Sequence, residues 1–163
     1  ILLFIISYVA LISPLHTYLA SQLGILLHSD SKRLEQIIRL INRIQITIVV
    51  FGVSTSVVFG EQLLSYISPE LHSLSPELIF AMIMFGIAVM TAVPLRILLH
   101  SSLPDIGVYL KASRLFLCCL FLTILIPRYG IVGAIISDTL PMIITNILAT
   151  IVCYRTLRIN TLL

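Results

Sequence analysis

Asp138, an aspartate inside an apolar stretch, is the residue of this sequence whose position most needs a chemical explanation. It lies eight residues beyond Gly130 in a run that is otherwise almost wholly apolar, which corresponds to about 12 Å of helix. An aspartate that faces lipid at such a depth costs about 2.5–3.5 kcal/mol. We therefore expect Asp138 to face a cavity or a neighbouring helix, either as a hydrogen-bonded structural group or as a proton or cation site.

Residue patterns typical of soluble enzymes do not occur in the sequence. The three cysteines, Cys118, Cys119 and Cys153, all lie in apolar runs and lack metal-ligand spacing. The four histidines are scattered, and neither a glycine-rich phosphate loop nor a nucleophile motif is present. The sequence therefore predicts no enzyme and no metal or cofactor site, and no aromatic–basic motif indicates a nucleic-acid partner.

The composition is typical of a protein that is embedded in a membrane. Of the 163 residues, 59% are hydrophobic and only 10% are charged, and the mean hydropathy is +1.13. Soluble domains carry about 25% charged residues. Because backbone groups in lipid must satisfy their own hydrogen bonds, apolar segments of this length are expected to be helices. The predicted fold class is all-α, a polytopic membrane helix bundle.

Five apolar segments are each long enough to cross a bilayer, for which a helix needs roughly 20 mostly apolar residues. Short connections separate them, so we expect five neighbouring transmembrane helices that form one lobe over residues 1–163. The predicted spans cover residues 1–27, 37–59, 78–99, 109–126 and 131–154.

Basic residues are distributed unevenly between the two sides of the membrane that these spans define. Nine of the ten Lys and Arg fall on one side, in the first loop and the start of the second span, around the third loop and in the C-terminal tail; the other side carries only Arg128. Short loops rich in Lys and Arg stay in the cytoplasm. We therefore expect a cytoplasmic C-terminus, and we interpret the net charge of +3 as a consequence of topology.

Prolines and small residues lie at positions that affect how individual spans bend and pack. Pro14, Pro94 and Pro141 interrupt three of the spans, and both ordinary curvature and a gating role remain open for them. In the fifth span, small residues recur at spacings of three and four and predict a close-packing face beside Asp138. They are Gly130, Gly133, Ala134, Ser137, Pro141, Thr145 and Ala149.

The stretch "LIPRYGIVGAIISDTL", residues 125–140, resembles the part of the polysaccharide flippases where one helix ends at a proline–x–tyrosine–glycine and the next begins with glycine–alanine. The first helix with Pro14, the basic loop "HSDSKRLEQIIR" (28–39), the turn "FGEQ" (59–62) and Lys111 also follow the order of that family. The chain thus resembles the C-terminal half of the O-antigen and exopolysaccharide flippases, which belong to the multidrug/oligosaccharidyl-lipid/polysaccharide transporter superfamily.

The resemblance implies a two-lobed bundle around a central cavity in the bacterial cytoplasmic membrane, with an N-terminal lobe as a partner. It implies transport of a polyprenyl-pyrophosphate-linked oligosaccharide from the inner to the outer leaflet for surface polysaccharides such as lipopolysaccharide, without a cofactor. Membrane lipids would be further partners. The substrate-binding candidates are Arg96, Lys111, Arg114 and Asp138.

Two other interpretations of the sequence remain open. A multidrug/cation antiporter of the same superfamily should carry several acidic residues inside the membrane, whereas Asp138 is the one that stands out. A non-transporting membrane fragment would keep Asp138 only as a relic. For the arginines themselves, simple placement at the cytoplasmic membrane surface is the alternative to substrate binding.

Overall fold

The structure is a computed structural model that describes residues 10, 13–15, 17–23, 31–101 and 103–157. These ranges are almost entirely helical, and none of their residues lies in a strand, which confirms the all-α class. A 3₁₀ helix, Pro69–Leu74, and a final π-helical turn, Cys153–Leu157, supplement the α-helices. Within these ranges, four α-helices follow residues 17–23: α1 (Ser31–Ile67), α2 (Ser75–Met90), α3 (Val93–His100) and α4 (Pro104–Val152).

Three helical stretches in the described part of the chain are long and apolar enough to cross a membrane: Arg33–Ile67, Pro69–His100 and Pro104–Thr156. The five separate spans expected from the sequence are therefore not confirmed. The first of them, residues 1–27, lies largely outside the described residues, although residues 17–23 are helical. The last two lie in the stretch Pro104–Thr156, which is interrupted by a non-helical residue, Gly130.

Helix α1 is longer at both ends than the predicted span 37–59. Its first turns are amphipathic, because Leu34 and Ile38 are buried whereas Arg39 and Arg43 are exposed. The turn predicted at "FGEQ" is wrong, because the helix continues through it to Ile67. This extension buries Leu64 in a cluster with residues of α2.

Two short helices make up the predicted third span. Helix α2 ends at Met90 and helix α3 begins at Val93, so Thr91 and Ala92 form a break, called here the α2–α3 break. Pro94 lies in the first turn of α3, where its missing N–H leaves no helical hydrogen bond unmade.

Helix α4 reverses direction at Gly130. It has 49 residues, which would make about 74 Å of straight helix, more than twice the thickness of a bilayer core of about 30 Å. Gly130 has φ 55° and ψ −125°, and it divides α4 into a first arm, residues 104–129, and a second arm, residues 131–152. A φ in this range favours glycine because it has no Cβ.

Gly133 allows the two arms to touch just after the reversal. A Cβ placed on Gly133 would collide with the backbone carbonyl of Leu125 on the first arm. Arg114 and Asp138, 24 positions apart in sequence, would be separated by about 36 Å along a straight helix. Their side chains instead approach to 3.9 Å. The two arms therefore lie side by side, as the turn predicted before residue 131 requires.

The core consists of two clusters of buried apolar side chains. The first joins the start of α1, α3 and the end of the second arm, and it includes Leu19 and Leu23 from the preceding helical residues. The second joins the middle and the end of α1 to α2. The first arm contributes little to either cluster, because no residue from 108 to 132 is buried.

Candidate functional site

A cavity of about 320 Å³ lies where α3 meets the two arms of α4. Arg96 and His100 are four residues apart on α3, and Lys111 and Arg114 are three apart on the first arm, so each pair shares one face of its helix. The apolar contacts of Ile106 and Leu110 with the first core cluster hold the two helices together at this end. The cavity is lined by Ala92, Leu95, Arg96, Leu99, His100, Lys111, Arg114, Met142 and Asn146.

Positive charge dominates this cavity, which is called the cationic cavity below. Arg96, Lys111 and Arg114 are three of its nine lining residues, and none of the nine is acidic. Arg96 and Arg114 are partly buried, whereas Lys111 is exposed. Guanidinium groups bind carboxylate or phosphate groups through two parallel hydrogen bonds, and an ammonium group acts as a point charge. The arrangement is suited to an anionic ligand.

Asp138 lies beside the cationic cavity and does not line it. Its Oδ1 is 3.9 Å from Nη2 of Arg114, at the limit of an ion pair, and the two side chains are 62% and 34% exposed. A contact this long and this exposed contributes little to stability. The structure thus brings three of the four predicted substrate-binding residues to one cavity and leaves the fourth next to it through Arg114.

The remaining predicted positions, the three prolines, are placed differently from one another. Pro14 is helical and exposed, and Pro141 is buried inside the second arm. Pro94 lies directly after the α2–α3 break, and its carbonyl oxygen accepts a hydrogen bond from the thiol of Cys153 at 3.3 Å. Pro94 and Pro141 are both next to the cationic cavity, since Leu95 and Met142, the residues that follow them, line it.

Asn146 is a residue of this site that the sequence interpretation missed. It is 1% exposed, and its Nδ2 donates hydrogen bonds to the carbonyl oxygen of Ala88 at 2.9 Å and to Oγ1 of Thr91 at 3.2 Å. The nearby hydroxyls of Ser137 and Thr145 bond only to carbonyls of their own helix in the contacts described. An amide inside an apolar span needs hydrogen-bond partners, and that criterion, applied to Asn146 as it was to Asp138, would have found it.

Metal ligation finds no support in the part of the chain that the structure describes. No group of three or more His, Cys, Asp or Glu side chains there is close enough to hold a metal ion. Among these side chains, His100 lies at the cationic cavity and Cys153 is buried at the end of the second arm.

Comparison of the chain with protein-family models, with curated proteins and with solved structures gives no match. The functional assignment therefore rests on the residues and geometry of the chain itself.

Proposed function

We propose that this chain is the C-terminal lobe of a membrane flippase. The flippase moves a polyprenyl-pyrophosphate-linked oligosaccharide from the inner to the outer leaflet for surface polysaccharide biosynthesis. The observation that carries the proposal is the cationic cavity, to which α3 contributes Arg96 and the first arm contributes Lys111 and Arg114.

The charges of the cavity favour an anionic headgroup over a cation. Holding several cationic groups near one another in an apolar surrounding costs free energy, and a bound pyrophosphate offsets that cost through charge-assisted hydrogen bonds. A cationic drug or metal ion would be repelled by the same groups. A multidrug/cation antiporter is therefore the weaker alternative, and a fragment with no transport activity has no need of such a cavity.

The position of the cavity along the helices agrees with loading from the inner leaflet. It lies at the end of α3 and the start of α4, where the basic residues of the third loop are concentrated. With the orientation that the charge bias favours, this end faces the cytoplasm. The long apolar helices support a membrane location, and we assign it to the bacterial cytoplasmic membrane with the C-terminus inside.

Replacing the arginines of the cavity tests the proposal. Arg96→Gln or Arg114→Gln in the full-length protein should lower the amount of surface glycan roughly tenfold or more, because each removes a charge-assisted contact to the headgroup. Lysine at either position should restore part of the export if charge is sufficient, and little if paired hydrogen bonds are needed. Glycan would be measured on cells that express and insert each variant normally.

Arg128→Gln is the matched control for this experiment. Arg128 is exposed next to the Gly130 reversal, far along the first arm from the cavity, so its loss should leave export unchanged. Normal export from both cavity variants would overturn the proposal.

The proposed orientation has a separate test in thiol labelling. Single cysteines would replace Ser73, in the 3₁₀ helix, and Asp105, at the start of α4, in a background that lacks the native cysteines. Both positions are exposed. An impermeant thiol reagent added outside the cell should label position 73 and not position 105; the reverse pattern would contradict a cytoplasmic cavity.

A further inference from the structure

The hydrogen bonds of Asn146 connect the second arm of α4 to the α2–α3 break at the edge of the cationic cavity. From them we infer that Asn146 is a positioning residue: it fixes the direction of α3 and thereby directs Arg96 into the cavity. The identity of the bound anion rests on the proposed function, whereas the positioning of α3 does not.

The α2–α3 break leaves a backbone carbonyl without its usual helical partner. In a continuous helix, the N–H of Ala92 would bond to the carbonyl oxygen of Ala88, four residues earlier. It bonds instead to the carbonyl oxygen of Val89, three residues earlier, at 3.0 Å. Pro94, in the first turn of the next helix, contributes no N–H. Such a carbonyl is costly in an apolar interior unless another donor replaces the lost one.

Asn146 supplies that donor from a helix 58 positions away in sequence. One N–H of its amide meets the Ala88 carbonyl oxygen, and the other meets Oγ1 of Thr91. The Thr91 hydroxyl can donate in turn to the Ala88 carbonyl oxygen, at 3.0 Å. Both N–H groups of the amide are therefore used at the break, and the three groups form a small closed network.

The network controls α3 because α3 is short and starts immediately after the break. Arg96 lies five residues after Thr91, on a helix of only eight residues. Because α3 follows the break as one rigid helix, a change in the backbone angles at Thr91 or Ala92 rotates all of α3 and turns Arg96 away from the cavity. The contact of the Cys153 thiol with the Pro94 carbonyl holds the same turn of α3 from the second arm.

Asn146 and Arg96 line the same cavity from different helices. Loss of the Asn146 amide should therefore weaken anion binding, because the direction of Arg96 changes. Thr145 provides the comparison, since it is equally buried on the same helix but bonds only to carbonyls of its own helix, those of Pro141 and Met142.

The test measures ligand affinity and helix direction in the same variants of the full-length protein in lipid nanodiscs. Inorganic pyrophosphate is the binding probe, followed by calorimetry. Asn146→Leu has nearly the same size without the amide and should lower pyrophosphate affinity about tenfold, whereas Thr145→Val should leave it unchanged. Thr91→Val should reduce affinity as well, and Thr91→Ser, which keeps the hydroxyl, should restore it.

Spin labels at Ile83 on α2 and His100 on α3 report the angle across the break without any ligand. Asn146→Leu and Thr91→Val should shift or broaden the distance between the labels, and Thr145→Val should not. If Asn146→Leu is too unstable to purify, the comparison of Thr91→Val with Thr91→Ser provides the same test.

The outcomes separate this inference from the proposed function. A protein that does not bind pyrophosphate while Asn146→Leu still changes the label distance would refute the anion site and support the positioning role. Lower affinity with an unchanged label distance would overturn the inference, because Asn146 would then act on the anion directly. Unchanged affinity and distance would also overturn it.

Discussion

The α2–α3 pair and the first arm of α4 are both strongly apolar, yet they occupy opposite environments. More than half of the most apolar stretch of Pro69–His100 is buried, whereas no residue from 108 to 132 is buried. Apolar character alone therefore does not say which helix lies inside. In lipid, the hydrocarbon tails compete equally for apolar side chains, so other features must select the inner helix.

Small residues and polar contacts distinguish the inner pair. Helix α2 presents Ala81, Gly86 and Ala88 to its neighbours, and all three are buried. The first arm presents large side chains such as Leu115 and Phe116, and both are exposed. Small side chains let helix backbones approach closely, which increases packing contacts and brings hydrogen-bonding groups such as the Asn146 amide within reach. On α2, small side chains lie where a neighbouring helix comes closest, as at Gly86 beside Val49 of α1.

The largest expected difference between the two regions is in the cost of deleting a leucine side chain. Leu98 on α3 is 0% exposed and Leu115 on the first arm is 68% exposed. Leu98→Ala leaves a cavity and should lower the free energy of unfolding by about 3 kcal/mol, whereas Leu115→Ala should change it by less than about 0.5 kcal/mol. Unfolding in mixed micelles with increasing SDS measures both, and equal effects would break the comparison.

A smaller loss of stability is expected from substitutions near the reversal, where the first arm of α4 meets the second arm. Gly133→Ala should lower the free energy of unfolding by about 2–3 kcal/mol, because the new methyl group collides with the Leu125 carbonyl and forces the arms apart. Gly130→Ala places a methyl group in open space but strains a positive φ, which should cost about 1–2 kcal/mol. If Gly130→Ala lowers the free energy of unfolding more than Gly133→Ala in the same assay, the backbone conformation at Gly130 matters more for the reversal than the close contact at Gly133.

The smallest effect on stability is expected at the ion pair between the two arms. Asp138→Asn should change the free energy of unfolding by less than about 1 kcal/mol, since the contact with Arg114 is long and largely exposed. The amount of surface glycan on cells that express Asp138→Asn tests separately whether the charge takes part in transport. Loss of export at normal protein level would assign the charge of Asp138 to the transport cycle, whereas normal export would leave it no part in transport.

Much of the fold follows from local features of the sequence. Long apolar runs predict helices, and the sequence Pro-Arg-Tyr-Gly predicts the reversal that occurs at Gly130. The end of α1 was predicted wrongly because Gly60 and Glu61 resemble turn residues, while the burial of Leu64 against α2 depends on a contact distant in sequence. The break before α3 lies at Thr91, three residues earlier than Pro94, since proline is accommodated in the first turn of the next helix.

The charged residues of the site were predictable, but their assembly into one cavity was not. Lys111, Arg114 and Arg96 stand out as charges near the ends of apolar runs, so their positions in the sequence identify them. Their meeting at one cavity depends on which helices pack together, which the helical repeat does not specify. Asn146 could have been singled out as an amide inside an apolar span, but its partners, the Ala88 carbonyl oxygen and Thr91 Oγ1, are distant in sequence and follow only from the packing.

The Gly130 reversal also bears on how the chain enters the membrane during synthesis. Because both arms continue from this single residue, they are suited to insertion as one helical hairpin, with the reversal as its leading tip. Under the proposed orientation, Arg128 is the only basic residue that this tip has to carry across the bilayer. The local sequence of the corner thus keeps the electrostatic cost of translocation to a single charge.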